Sequence, residues 1–293
     1  MASIERKSSH TIQYSQSYDK RKQTYLLISD IHLDSTHCER ALLKKHLDQA
    51  LEKDAMICIF GDLLDVMATF GDKRMQREDI DPQFIVKGRS YLDLICEYAI
   101  EFLKPYAKNI LIISKGNHES TIEKFHNSDP LYRIVGTLNQ LCSTNIQLGG
   151  YKGYIYFHYY RGKDGKSSVV RKAMHYHHGF GGDAKRSKGM LDVQIEVMKY
   201  PDAQYLVRGH THQKWYDPST TVERLNQKDQ MYTQSTKYLQ LGSYKNGATS
   251  TDGWEVQKNF APTKMGGWWL EHHLRREGSG GPMVIDDVIY EAE

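Results

Sequence analysis

The sequence predicts an α/β fold, and three observations predict it. Short apolar runs of β character recur along the 293 residues, helical-period segments stand between several of them, and the runs end in polar clusters of Asp, Asn and His. In parallel α/β sheets, ligands bind beyond the carboxyl ends of the strands, so polar groups placed there converge on one crevice.

Residues 1–20 are polar and rich in Ser, Tyr and Gln, which predicts a loose N-terminal arm. The run Tyr25–Ile28 is a strand leading to Asp30 and His32 in a DxH sequence. From Glu39 to Lys53, apolar residues at Ala41, Leu42, Leu47, Ala50 and Leu51 predict a crossover helix. Met56–Phe60 is the next strand and ends at GDxxD, with Asp62 and Asp65. Met67–Lys87 is polar and mixed, an insertion expected to overhang the strand ends. A second helix, Tyr91–Leu103, stops before Pro105. Ile110–Ile113 leads to Asn117 and His118 in GNHE.

Residues 146–161 alternate and predict a strand pair. The tract His175-Tyr176-His177-His178-Gly179 follows, and strand alternation sets His175 and His177 on one face, His178 with Tyr176 on the other. A short helix is expected over Asp192–Lys199, before Pro201. Tyr205–Val207 leads to His210 and His212 in GHTH, two histidines expected on one strand face. Lys237–Leu241 and Gly267–Leu270 read as closing strands of a second sheet, and Gly278–Glu293 as a tail that is glycine-rich, then acidic.

Each fragment alone has an ordinary explanation. DxH is a surface turn, GDxxD a turn before a helix cap, GNHE a helix start, and a His tract is unremarkable among 14 histidines. Five fragments at five strand ends describe a site instead. Imidazole, carboxylate and amide donors suit Mn²⁺, Fe²⁺, Zn²⁺ or Ni²⁺. No cysteine joins the set, which argues against a structural thiolate zinc site. Seven ligands exceed one tetrahedral ion; they suit two ions about 3.5–4 Å apart sharing one carboxylate, the arrangement that clamps both oxygens of a phosphoryl transfer.

The five-motif series, over residues 30–212, resembles the calcineurin-like metallophosphoesterases. The resemblance implies a four-layer sandwich, two mixed β-sheets flanked by helices, with a dinuclear centre. It implies that Asp30, His32 and His212 hold one metal, that Asn117, His178 and His210 hold the other, and that Asp62 bridges them. It implies that His118 protonates the leaving oxygen or stabilises the phosphate, and that Asp65 supports the site without touching metal. The family ligand of the fourth motif directly precedes a glycine, which selects His178 and keeps His177 as the alternative. The cofactor expected is a pair of divalent ions, Mn first, with Fe, Zn, Ni or Mg as the others.

A content of 39% hydrophobic and 26% charged residues supports a sizeable core, and the ligand span predicts a single catalytic domain over residues 21–277. The formal charge of +3 is far from that of a dedicated nucleic-acid coat protein. Four scattered cysteines, the absence of an N-terminal apolar segment and of any membrane-length run predict a cytoplasmic protein without membrane association. The loop Gly181–Gly189 leaves the fourth motif with Lys185, Arg186 and Lys188, cations able to hold a phosphate or polynucleotide backbone, or merely to face solvent. Arg208 is open to the same two readings, and Lys20-Arg21-Lys22 reads as a solvated stretch. The first expectation is therefore a phosphodiesterase acting on nucleic acid (DNA or RNA) or nucleotides by attack of metal-activated hydroxide. The alternative is a phosphomonoesterase on a phosphoprotein or small metabolite; intact site positions argue against a non-catalytic scaffold.

Overall fold

The computed structural model describes residues 2–17, 21–66, 80–161, 167–180, 193–246, 264–278 and 281–293. In chain order the strands and helices are β1 (Ser3–Arg6), β2 (Thr11–Ser17), β3 (Lys22–Ile28), α1 (Arg40–Glu52), β4 (Met56–Phe60), α2 (Tyr91–Leu103), β5 (Ile110–Ser114), α3 (Asn117–His126), α4 (Pro130–Cys142), β6 (Gln147–Gly149), β7 (Lys152–Arg161), β8 (Ser167–His177), α5 (Val193–Lys199), β9 (Tyr205–Arg208), β10 (Trp215–Leu225), β11 (Met231–Gln240), β12 (Trp268–Arg276) and β13 (Met283–Glu291).

Two mixed sheets result. One runs β13-β12-β3-β4-β5-β6, with β3 to β6 parallel and β12 antiparallel to both its neighbours. The other runs β1-β2-β7-β8-β9-β11-β10, with β8, β9 and β11 parallel. Strand alternation explains why β3 and β4 are apolar on both faces. Leu26, Ile28, Ile57 and Ile59 pack against the helical layer, while Tyr25, Leu27, Cys58 and Phe60 face the other sheet. The second sheet answers from its inner face with Ile155, Phe157, Met174, Tyr176, Tyr205 and Val207. On its outer face Val193 and Val197 of α5 cover Leu206 and Tyr238. Helix, sheet, sheet and helix form the four layers.

Three expectations need correction. The N-terminal arm is not loose: β2 pairs in parallel with β7, burying Ile12 and Tyr14. Alternation in Thr11–Ser17 carries that strand, masked in the sequence by its polar outer face. The tail docks through its apolar residues: β13 lies antiparallel on β12, and Ile285 is buried. Residues 146–161 hold two strands that do not pair with each other: β6 joins β5, whereas β7 joins β2 and β8. The two closing strands likewise part company, β11 beside β9 and β12 beside β3. Most of the insertion expected over 67–87 lies outside the described residues, as does the basic loop with Lys185, Arg186 and Lys188, and Lys20. Lys22 pairs with Glu271 at 2.6 Å. The described cysteines are all free thiols, and no described helix is long and apolar enough to cross a membrane.

Candidate metal centre

Both sheets deliver their strand ends to the same edge of the sandwich. Asp30 and His32 follow β3, Asp62 follows β4, Asn117 and His118 open α3 after β5, His178 follows β8, and His210 and His212 follow β9. The turns that carry them are unusual. Asp30, His32, Asp62, His210 and His212 all lie in the left-handed region, with φ of +51°, +50°, +50°, +71° and +57°. Such conformations cost on the order of 1 kcal/mol each for residues with a Cβ and persist where surrounding structure enforces them. Here cross-strand bonds do so: Ile31 and His32 donate their amides to the Asp62 carbonyl at 2.8 and 3.1 Å, and the His210 amide donates to the Asp30 carboxylate at 3.0 Å.

The glycines of two motifs have a steric reason. A Cβ at Gly116 would collide with the Asp62 side chain, and one at Gly61 (φ +88°) with the His178 ring. GD and GN are close-approach contacts between the loops after β4 and β5.

Among the described residues, three groups of side chains bring ligand atoms within 4.8 Å of one another: Asp30/His32/His212, Asp62/His178/His210 and His32/Asp65/His118. Asn117 joins the second group, its Oδ1 3.0 Å from His178 Nε2 and 2.7 Å from His210 Nδ1. Thus the seven expected ligands gather in two adjoining groups. His210 and His212 do not share one destination, because each sits in a left-handed turn beyond β9; His210 joins Asn117, and His212 lies 3.3 Å from His32 Nε2.

The hydrogen bonds fit these groups for cations. His178 Nδ1 donates to the Phe60 carbonyl at 3.0 Å, which in a neutral ring leaves a lone pair on Nε2. That Nε2 faces two oxygens, Asn117 Oδ1 and, at 3.1 Å, Asp62 Oδ2. His32 repeats the pattern, with Nδ1 2.7 Å from Asp65 Oδ1 and Nε2 turned to His212. Ring nitrogens gathered against each other and against buried oxygens set several potential donors around one place. Burial opposes a charge on His178, but the Asp62 and Asp30 carboxylates outweigh it and lift its pKa to about 10. Asp30 falls to about 2 in spite of its burial, chiefly through the His178 and His212 imidazoles. Divalent cations would answer the same buried negative charge.

His118 Nδ1 donates to the Asp65 carbonyl at 2.5 Å, and its Nε2 lies 3.7 Å from Asp62 Oδ2. Asp65 falls in the third group, and its carboxylate faces His32 Nδ1 and Lys245. His177 is outside all three groups; its Nδ1 accepts the Gly179 amide at 2.9 Å, and its ring meets Tyr151 and Phe180. His175 stacks on Tyr200 at 3.7 Å on the outer sheet face. Arg208 takes the neighbouring-acid option, pairing with Glu196 beneath the Tyr200 and Tyr238 rings.

Sequence reasoning missed three supports. Glu119 is buried and accepts the amides of Gly116 (2.9 Å), Asp62 (3.2 Å) and Leu64 (3.0 Å); burial and the Asp62 charge push its pKa up to about 7. Its place at the third position of α3 is the available signal, that of a capping box. Asp34 accepts the amides of Asp65 and Val66 and the Tyr91 hydroxyl, shaping the loop after Asp62. Lys245 has no local sequence signal.

A family model for calcineurin-like phosphoesterases matches residues 24–214, well over half of the chain. The chain belongs to that family. No curated protein matches this calcineurin-like phosphoesterase. Among solved structures it is similar to a predicted phosphoesterase from Streptococcus pneumoniae, 13% identical with a TM-score of 0.32, covering 91% of this chain and 98% of that one. A metallophosphoesterase from Sphaerobacter thermophilus is 13% identical with a TM-score of 0.34, covering 92% and 90%. GAP50, described as the anchor in the inner membrane complex of Plasmodium, is 11% identical with a TM-score of 0.38, covering 92% and 85%.

Proposed function

We propose that this calcineurin-like phosphoesterase is a dinuclear metal-dependent phosphodiesterase acting on nucleic acid or nucleotides. Asp30, His32 and His212 hold one ion; Asn117, His178 and His210 hold the other; Asp62 is shared. The observation that carries the metal reading is the pair of adjoining groups of possible ligands, whose imidazole nitrogens face each other and buried oxygens. A nitrogen and oxygen donor set without thiolate suits Mn²⁺, Fe²⁺, Zn²⁺ or Ni²⁺; Mn²⁺ is the first choice of this reading, with Mg²⁺ among the other candidates.

Two divalent ions, when bound, supply Lewis acidity that polarises the phosphoryl oxygens and makes a water acidic enough to act near neutral pH. This chain's residues do the rest. The Asp65 carbonyl holds His118 Nδ1–H at 2.5 Å and so turns Nε2 toward the Asp62 side of the site. As a cation, His118 gives its Nε2 proton to the leaving oxygen as the P–O bond breaks. Asp65 through His32, and the Phe60 carbonyl through His178, set the orientation of those two ring ligands.

The diester reading rests on the sequence of the loop after the fourth motif, where Lys185, Arg186 and Lys188 follow His178 closely. A parallel assay with Mn²⁺ on bis-p-nitrophenyl phosphate, p-nitrophenyl phosphate, and single- and double-stranded DNA tests it. Cleavage of diester and DNA is the expected result. Cleavage of the monoester alone replaces the proposal with a phosphomonoesterase.

A further inference from the structure

The segment after β11 closes over the site from a part of the chain beyond the family match at 24–214. Ser243 Oγ and the Tyr244 amide both donate to the Asp30 carbonyl, at 2.8 and 2.9 Å, across the left-handed turn that carries Asp30. The Glu39 amide donates to the Tyr244 carbonyl at 2.8 Å, and the Asn246 amide to the His37 carbonyl at 2.8 Å. This seat aims Lys245 at Asp65: Nζ lies 3.3 Å from Oδ1 and 3.2 Å from Oδ2, with the carboxylate side chain only 3% exposed.

We propose that Lys245 is a positioning residue for the Asp30/His32/His212 half of the centre, acting through Asp65. The inference rests on the metal reading proposed above. Asp65 Oδ1 has two imidazole neighbours, His32 Nδ1 at 2.7 Å and His118 Nδ1 at 3.6 Å. A carboxylate held from one side turns readily about its Cβ–Cγ bond, and rotation would trade the first contact for the second. An ammonium spanning both oxygens stops that rotation and offsets a buried charge. His32 Nδ1 then stays engaged, and its Nε2 stays aimed at His212, with which it would hold the ion. Partners of this kind, which touch a ligand and not the metal, are worth about 10–100-fold in metal affinity.

Manganese titration of the metal-free full chain, read calorimetrically, tests this. Lys245→Met keeps the stem and removes the charge; it should weaken one of two Mn²⁺ sites about 10–100-fold and leave the other unchanged. Lys245→Arg should restore most of the loss. Lys245→Gln takes the place of the methionine variant if that fails to fold. The Asp65→Asn background separates positioning from general stapling: the Lys245→Met loss should vanish there, because the group it acts through is gone. Wild-type affinity at both sites in Lys245→Met, or an equal loss in both backgrounds, overturns the inference while leaving the metal reading standing. A wild-type chain that binds neither Mn²⁺ nor Fe²⁺, Zn²⁺, Ni²⁺ or Mg²⁺ overturns both.

Discussion

At residue scale the site is built from polar side chains, five of them on left-handed turns held by hydrogen bonds from neighbouring loops. Asp62 carries the proposed shared role: its Oδ2 lies 3.1 Å from His178 Nε2, and its Oδ1 accepts the His118 amide at 3.0 Å. Asp62→Asn keeps the shape and removes the charge, so metal analysis of purified protein should find clearly fewer ions than the two expected in wild type; undiminished loading would remove Asp62 from a shared role. The histidine tract gives a paired test. His178→Ala should lose metal, whereas His177→Ala, which lacks only a bond to the Gly179 amide and ring contacts, should retain it. The reverse result would exchange their roles. His118→Ala should leave metal content intact and lower kcat by about 10²–10⁴-fold, the usual contribution of a positioned acid. That loss should shrink for p-nitrophenyl esters, whose leaving group hardly needs a proton; equal losses for good and poor leaving groups would favour phosphate positioning.

At the scale of elements, β12 and β13 determine how the sandwich is closed, and a buried polar chain runs from them. His272 of β12 meets the Tyr159 hydroxyl through Nδ1 at 2.6 Å and the Tyr205 hydroxyl through Nε2 at 3.0 Å, so β3, β7, β9 and β12 are tied across the inter-sheet space. Burial lowers the His272 pKa to about 3. The sign follows directly. Between about pH 6.5 and pH 3 the unfolded chain carries a proton on this residue that the folded chain refuses, so stability falls as pH falls through that window. The contribution is about 1.4 kcal/mol per pH unit. His272→Gln should unfold more easily at pH 7, having lost ring contacts, yet show a shallower decline between pH 6 and pH 4. Parallel denaturation curves for both proteins would refute a titrating His272. His175, also lowered to about 3, remains to supply acid sensitivity in the variant.

At the scale of the whole molecule, a chain with formal charge +3 must concentrate its cations if it is to hold a polyanion. The tract with Lys185, Arg186 and Lys188 is where the sequence concentrates them near a ligand. Replacing all three by Ala should raise KM on DNA or RNA and flatten its salt dependence, since fewer counterions are released on binding. Activity on bis-p-nitrophenyl phosphate should hardly change. Wild-type behaviour of the triple variant on every substrate, or failure of the wild type to cleave any polynucleotide, would end the nuclease reading.

The strand runs from Tyr25, Met56, Ile110 and Tyr205, the helices at 40–52 and 91–103, and the residues that meet at the site were legible in the chain alone. The reason is local: doubly buried parallel strands are apolar throughout, and the polar cluster that ends each one is adjacent in sequence. Alternation also separated His178 from His177 and His175 before any contact was known. Other features were decided only by tertiary structure. β2 and β13 alternate weakly and become strands by finding β7 and β12, and β6 and β7 enter different sheets although only two residues separate them. His210 and His212 part because left-handed turns, held by bonds from the Asp30 loop, override the strand period. Asp34 and Lys245 serve the site through backbone amides and a carboxylate up to 180 residues away, and no pattern of neighbours in the chain can announce a partner at that separation.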